Sequence, residues 1–83
     1  MPQPLKVLLL PQAQEDLHSI LDPLFMRITK RLKALRRYPE LGHAMAGPFA
    51  GYRATVVALY RILYRIIPGT ILVAYIRHCR RHS

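Results

Sequence analysis

The sequence predicts an α+β fold in which two short N-terminal helices pack on one face of a mostly antiparallel sheet. Three observations lead to this prediction. Apolar residues in the first 40 positions recur at helical spacing. Residues 52–77 are instead rich in Val, Ile, Tyr and Thr, most of which favour strands. The chain has 83 residues and 52% of them are hydrophobic, so we expect one modest core and a single domain over residues 1–83.

The N-terminal segment predicts a strand followed by a helix. Residues 5–10 form a short apolar run that Pro11 ends. Pro11 suits the first turn of a helix, because its missing N–H would have no partner there in any case. Glu15 and Asp16 would lie in the first turns, where the helix dipole stabilises negative charge. The predicted apolar stripe of this helix consists of Ala13, Leu17, Ile20, Leu21 and Leu24.

A second helix is predicted to begin at the Asp22-Pro23 pair, with Asp22 as its N-cap and Pro23 in its first position. It should end at Tyr38, because a residue that precedes a proline is disfavoured in the helical region. Its predicted apolar stripe consists of Phe25, Ile28, Leu32 and Leu35. Its other faces are covered by basic residues, namely Arg27, Lys30, Arg31, Lys33, Arg36 and Arg37.

The second half of the chain predicts a loop and three strands. Residues 39–51 contain three glycines and two prolines and are predicted to be a loop. Strands are predicted at 52–58, 60–67 and 71–77, so the element order is β-α-α-β-β-β with the first strand at a sheet edge. In the middle strand, one face carries Arg61, Leu63, Arg65 and Ile67 and the other carries Tyr60, Ile62, Tyr64 and Ile66.

The charge of the chain predicts a negatively charged partner. Lys and Arg number 13 against 4 acids, for a net charge of +9, and all four acids precede residue 41. The partner could be nucleic acid, an acidic protein or an anionic membrane surface. Arginine binds phosphate and carboxylate bidentately, so an arginine surface is the candidate site, with a merely solvated sheet face as the alternative. Its members would be Arg53, Arg61, Arg65, Arg77, Arg80 and Arg81.

Other kinds of site have weaker support. His78, Cys79 and His82 have poor spacing for zinc and lack a fourth ligand, so we expect no metal and no cofactor. A lone cysteine excludes a disulfide scaffold and is interpreted as a passive thiol, with a reactive nucleophile as the alternative. A histidine beside arginines could serve as a general acid or base. Four tyrosines could stack on bases, but core packing is preferred for three of them, the four being Tyr52, Tyr60, Tyr64 and Tyr75.

The sequence also predicts a cytoplasmic protein without a membrane partner. Its longest apolar stretch is interrupted by Arg61, Arg65 and Pro68-Gly69, whereas a spanning helix needs about 20 apolar residues in succession. The apolar run near the N-terminus is too short for a secretory signal.

Four segments, in order, resemble motifs of the RelE/ParE toxin superfamily. Residues 11–20 resemble its first-helix pattern A-x-x-D-L-x-x-I, and residues 31–42 its second-helix ending R-L-x-x-L-x-x-x-P-x-L-G. Residues 60–66 match its central-strand pattern Y-R-I-L-Y-x-I, and residues 76–81 resemble its closing I-x-H-x-R-R. The resemblance implies a bacterial type II toxin that is silenced by a cognate acidic antitoxin. RelE-like members cut messenger RNA on the ribosome, whereas ParE-like members poison DNA gyrase.

The resemblance alone does not distinguish the RelE-like branch from the ParE-like branch, but individual residues do favour one of them. In a RelE-like enzyme, Arg53 and Arg61 would hold phosphate, and His78 or Arg80 would transfer a proton or stabilise charge. Thr55 stands where that branch often has lysine, and its late tyrosine is missing. Cys79 aligns with its late arginine, unless Arg80, one residue further on, takes that place.

The ParE-like reading, a toxin that binds gyrase without chemistry, is therefore preferred. The alternatives are a ribosome-dependent endoribonuclease, a plain nucleic-acid-binding module, and a shortened toxin that is inactive but still binds antitoxin. The last arises because only ten residues separate Ile20 from Arg31, where the family usually has a longer helical hairpin.

Overall fold

Two helices cover one face of a five-stranded sheet in the computed structural model, which describes residues 3–80. The elements are β1 Lys6–Leu9, α1 Pro11–His18, α2 Leu24–Arg37, β2 His43–Ala44, β3 Arg53–Val57, β4 Tyr60–Ile67 and β5 Thr70–His78. The sheet order is β1-β5-β4-β3-β2, with β1 parallel to β5 and all other neighbours antiparallel. This confirms the predicted fold class and the edge position of the first strand.

The main core lies between the helices and the sheet. The helices contribute Ala13, Leu17, Ile28, Leu32 and Leu35, and the connection between them contributes Ile20. The sheet contributes Val57, Ile62, Tyr64, Ile71, Val73 and Ile76. The residues of the two predicted helical stripes are buried or half-buried in this core, with one exception. The exception is Leu21, because α1 ends at His18 and leaves Leu21 in the connection between the helices, 80% exposed.

Two predictions about helix-start residues were wrong. Asp22 does not cap α2, since Pro23 occupies the N-cap position and no side-chain hydrogen bond is made there. Glu15 and Asp16 do not lie in the first turn of α1. Asp16 instead accepts a hydrogen bond from the backbone N–H of Ile76 in β5, at 2.9 Å. Its carboxylate therefore serves a tertiary contact, which helix-dipole reasoning does not anticipate.

The segment 39–51 is more regular than the predicted loop. It contains two short 3-10 turns, Pro39–Leu41 and Gly47–Phe49, and the two-residue strand β2 between them. In β2, His43 pairs with Ala54 and Ala44 pairs with Arg53. Strand propensity does not explain this pairing, because histidine and alanine are not strong strand formers. The strand forms because its backbone can pair with the free edge of β3.

A β-bulge in β5 determines which side chains reach each face of the sheet. Leu63 of β4 pairs with Tyr75, whereas the next residue, Tyr64, pairs with Val73, so Ala74 is the extra residue. The alternation of β5 is reset at this point. Consequently, Ile76 and Val73 both join the core under the helices, although they are three residues apart.

Candidate functional site

The face of the sheet away from the helices, here called the open face, carries three arginines. Arg61 of β4 is paired with Arg77 of β5, and Arg65 lies further along β4. Arg65 and Arg77 are exposed, and Arg61 is half-buried. Arginines on a sheet are held on a rigid support, so their positions vary less than they would on a loop.

Aromatic rings support two of these arginines. The guanidinium carbon of Arg77 lies 4.2 Å from the centroid of the Tyr75 ring, and that of Arg65 lies 5.5 Å from the centroid of Tyr52. Such cation–π contacts hold the charged groups over the ring faces while their N–H groups remain available. The tyrosines thus orient the arginines.

The third arginine, Arg61, has an unusual environment. Its Nε atom is buried and has no hydrogen-bond partner among the described residues. Its cross-strand partner is another arginine, and like charges directly opposite one another are unfavourable in a sheet. An unpaired buried donor is also unfavourable. Both costs would be reduced by an anionic group bound at this position.

A small apolar cluster forms the floor of the open face. Ala54, Leu63 and Tyr75 are buried there, with Met45, Tyr52 and Ala74 packed against them. No acidic side chain lies in the sheet, because the four acids are all in the helices and the segments that follow them, at Glu15, Asp16, Asp22 and Glu40. The open face therefore presents positive charge around an apolar centre.

Arg53 does not lie on the open face. It pairs with Tyr64, whose side chain is in the main core, so Arg53 points to the side of the sheet that the helices cover. Its Nε donates to the carbonyl of Gly42 at 3.0 Å, and its Nη2 donates to the carbonyl of Glu40 at 3.3 Å. The guanidinium thus holds the segment that precedes β2.

The other predicted residues are also dispersed. Thr55 is buried, and its hydroxyl accepts a hydrogen bond from Arg31 of α2. His78 meets the ring of Tyr60 edge-on, with 5.3 Å between centroids. The Nδ1 of His78 accepts a hydrogen bond from the backbone N–H of Arg80 at 3.2 Å. Arg80 and Cys79 are exposed at the end of β5, and Arg81 and His82 lie outside the described residues.

Residues 3–80 contain neither a cluster of metal ligands nor a membrane-spanning helix. Within residues 3–80, no three His, Cys, Asp or Glu side chains come together as metal ligands. In the same range, no helix is both long and apolar enough to cross a membrane.

Comparison with known families assigns the chain. The model of the ParE toxin of type II toxin–antitoxin systems, parDE, matches residues 7–82. The chain belongs to the ParE toxin family. The match begins within β1 and ends beyond β5, so it includes both helices and the four other strands in full. Comparison with curated proteins gave no match.

Solved structures of related toxins share the fold of this ParE-family chain. The RelBE2 toxin–antitoxin complex from Mycobacterium tuberculosis is 25% identical, with a TM-score of 0.82 over 90% of this chain and 98% of that one. A YoeB–YefM complex from Staphylococcus aureus is 20% identical, with a TM-score of 0.78 over 95% and 98%. The chromosomal ParDE system from P. aeruginosa is 16% identical, with a TM-score of 0.72 over 89% and 95%.

Sequence reasoning about this ParE-family chain missed three structural residues. Tyr64 was interpreted as core, but its hydroxyl also donates to the carbonyl of Pro39 at 2.6 Å and accepts from the N–H of Gly42 at 3.0 Å. Asp16 and Arg31 each tie a helix to a strand. The sequence signal for these contacts is that Asp16, Arg31, Gly42 and Tyr64 all fall within the family motifs.

The surface of α2 is a second basic region that was not among the predicted sites. A cleft of about 340 Å³ lies between α2 and β3. It is lined by Arg27, Lys30, Arg31, Ala34 and Val57. The ParE-family chain therefore presents positive charge on both sides of the molecule, and the open face is distinguished by its aromatic supports and apolar floor.

Proposed function

We propose that this toxin acts by binding DNA gyrase and that a cognate acidic antitoxin neutralises it. In this proposal the open face is the binding surface, with Arg61, Arg65 and Arg77 as its charged residues. Arg80, at the adjoining end of β5, would extend this surface, and Arg81 is proposed to do so from outside the described residues. Because gyrase acts in the cytoplasm, the protein would act there too.

The main support for the proposal is that the candidate catalytic residues do not converge on one site. Cleavage at a ribose hydroxyl needs groups that converge on one phosphate. Arg61 lies on the open face, whereas the side chain of Arg53 is engaged with backbone carbonyls under the other face. Thr55 offers no base, because a neutral hydroxyl is a very weak proton acceptor, and this one is buried against Arg31. This arrangement favours recognition of a protein surface over RNA chemistry.

Charge supports the antitoxin as a partner. The chain carries a net charge of +9, and an acidic segment would be drawn to it by long-range attraction. The RelBE2 structure and a heterotetrameric YoeB–YefM structure from Staphylococcus aureus, which share its fold, are toxin–antitoxin complexes. Binding of an acidic segment over the open face would block the same arginines that the target needs.

The direct test is DNA supercoiling by purified gyrase in the presence of this protein. We expect inhibition by the wild-type chain and a loss of at least about tenfold in potency for Arg61→Ala combined with Arg77→Ala, because charge-assisted contacts are strong. Arg37→Ala, which removes an exposed charge from α2, is the matched control and should inhibit normally. Supercoiling that continues unchanged at excess protein would contradict the proposal.

A second candidate is the RelE-like endoribonuclease. It is favoured by the buried Nε of Arg61, which has no hydrogen-bond partner within residues 3–80 and could bind a phosphate. In that case the protein would cleave messenger RNA in a translating extract, and Arg61→Ala would abolish the cleavage. Arg53→Ala would then lower the cleavage rate only indirectly, by destabilising the segment that Arg53 holds through the carbonyls of Gly42 and Glu40. Intact messenger RNA in the extract, together with inhibited gyrase, would exclude this candidate.

A further inference from the structure

The backbone of β3 has no neighbouring strand on one side beyond the end of β2. β2 pairs with β3 only at Arg53 and Ala54. The N–H of Met45 donates to the carbonyl of Tyr52 at 2.9 Å, so alternate residues from Tyr52 onwards direct their N–H and C=O groups to this side of the sheet. Val56 is the residue of this series that lies beyond β2. Its N–H and C=O groups therefore face away from β4, at a free edge.

The basic cleft between α2 and β3 adjoins this free edge. Arg31 lines the cleft, and its Nη1 donates to the Thr55 hydroxyl and, at 3.4 Å, to the Val56 carbonyl. Only this nitrogen of the guanidinium is engaged among residues 3–80, so Arg31 is held at the edge with N–H groups available for a ligand. Arg27 and Lys30 line the same cleft and are exposed.

The chemistry of the cleft indicates an extended peptide with acidic side chains. The lining contains three cations and no acid, which favours an anionic ligand. Ala34 and Val57 add an apolar part, and Val56 is 46% exposed beside the cleft. Phosphate groups accept hydrogen bonds but donate none, whereas a peptide strand supplies both a donor and an acceptor for the backbone of Val56. A peptide therefore matches the site better than a nucleic acid does.

We propose that this cleft binds an extended segment of the acidic antitoxin, which pairs with Val56 as an added strand. Residues opposite one another on neighbouring strands share a face, so an apolar residue of the segment would lie beside Val56. The residues before and after it would point to the helix side, where acidic side chains meet Arg27, Lys30 and Arg31. The recognised pattern is thus acidic, apolar, acidic. The identity of the partner rests on the proposed function, whereas the site does not.

Binding of a synthetic peptide tests the charges of the cleft. The probe is an octapeptide of alternating Glu and Val with blocked ends, titrated calorimetrically at physiological salt, which screens long-range attraction. Arg27→Ala combined with Lys30→Ala should weaken binding about tenfold, because two charge-assisted contacts are lost. Lys33→Ala combined with Arg37→Ala removes the same charge from exposed positions outside the cleft and should bind normally. Equal losses in the two double variants would overturn the proposal.

Amide hydrogen exchange of the wild-type chain tests the strand pairing. Saturating peptide should slow exchange at Val56 on the order of tenfold, because its N–H gains an acceptor. Val7 is the internal control. The N–H of Lys6 donates to the carbonyl of Gly69, so the N–H of Val7 faces the other free edge of the sheet and should exchange as before. Protection at Val7 in place of Val56, or at neither residue, would contradict the proposed pairing.

Two further measurements separate this proposal from its alternatives. A single-stranded DNA octanucleotide that binds through Arg27 and Lys30, when the peptide does not bind, would assign the cleft to nucleic acid and overturn the proposal. Supercoiling by purified gyrase tests the proposed function separately. If the wild-type chain leaves supercoiling unchanged but the peptide protects Val56, the proposed function fails and the peptide site stands. Inhibited supercoiling with no peptide binding would give the reverse result.

Discussion

The hydroxyl of Tyr64 makes two hydrogen bonds in this fold, in addition to the packing of its ring in the main core. It is fully buried and bonds to both ends of the Pro39–Leu41 turn, donating to Pro39 and accepting from Gly42. Gly42 is required there for lack of space, because a Cβ would lie 2.6 Å from the carbonyl oxygen of Ala54. Arg53 adds a further bond to the Gly42 carbonyl. These three residues explain why a sequence motif ends in glycine at this position.

Tyr64→Phe should therefore destabilise the protein although its volume barely changes. It leaves a buried N–H and a carbonyl without their partner, which costs roughly 1–3 kcal/mol. The free energy of unfolding in urea measures the loss. Tyr38→Phe, at a tyrosine that is 66% exposed, is the control and should be neutral. Equal stability of the two variants would contradict the role of the Tyr64 hydroxyl.

Gly42→Ala should be destabilising for a steric reason. The new methyl group would meet the backbone of β3 at Ala54 and also the buried hydroxyl of Tyr64, 2.8 Å away. Forcing extra volume into packed surroundings costs about 1–3 kcal/mol. Thermal unfolding followed by circular dichroism measures the effect. A midpoint unchanged from wild type would show that the turn has more room than the structure indicates.

At the scale of elements, the periodicity of the sequence predicted the buried face of α2, but it did not predict the face of the sheet on which Arg53 lies, because that face depends on strand pairing. The stripe of α2 predicted Ile28, Leu32 and Leu35 as buried, and they are. The face of Arg53 could not be read in the same way. The connection at 58–59 pairs Arg53 with Tyr64, so odd positions of β3 share a face with even positions of β4. Strand alternation alone does not reveal that register.

The connection between β3 and β4 also permits a prediction about stability. Ala58 has a φ of +54°, a conformation that glycine adopts more easily than alanine. Ala58→Gly should raise the free energy of unfolding by up to about 1 kcal/mol, less the entropy that glycine adds to the unfolded chain. Ala46→Gly, at an extended residue with a φ of −119°, should lower it instead. Urea unfolding of both variants checks the contrast, and a loss of stability in Ala58→Gly would contradict it.

At the scale of the whole molecule, charge connects the fold to its partners. All three arginines of β4 and β5 come from the half of the chain without acids, and the bulge in β5 brings Arg77 onto the same face as Arg61. The uneven charge could be read from the sequence. Its distribution over the open face and α2 could not, because it depends on strand register and helix orientation. The family resemblance indicated an antitoxin as the class of partner, which charge alone left open.

The most direct measurement is pulse labelling of DNA and protein synthesis in bacteria, minutes after expression is induced. Inhibition of gyrase stops replication before translation, so DNA synthesis should fall first, while protein synthesis continues over the same interval. The Arg61→Ala and Arg77→Ala combination should leave both rates unchanged. A fall in protein synthesis ahead of DNA synthesis would contradict the gyrase-binding account and support the endoribonuclease.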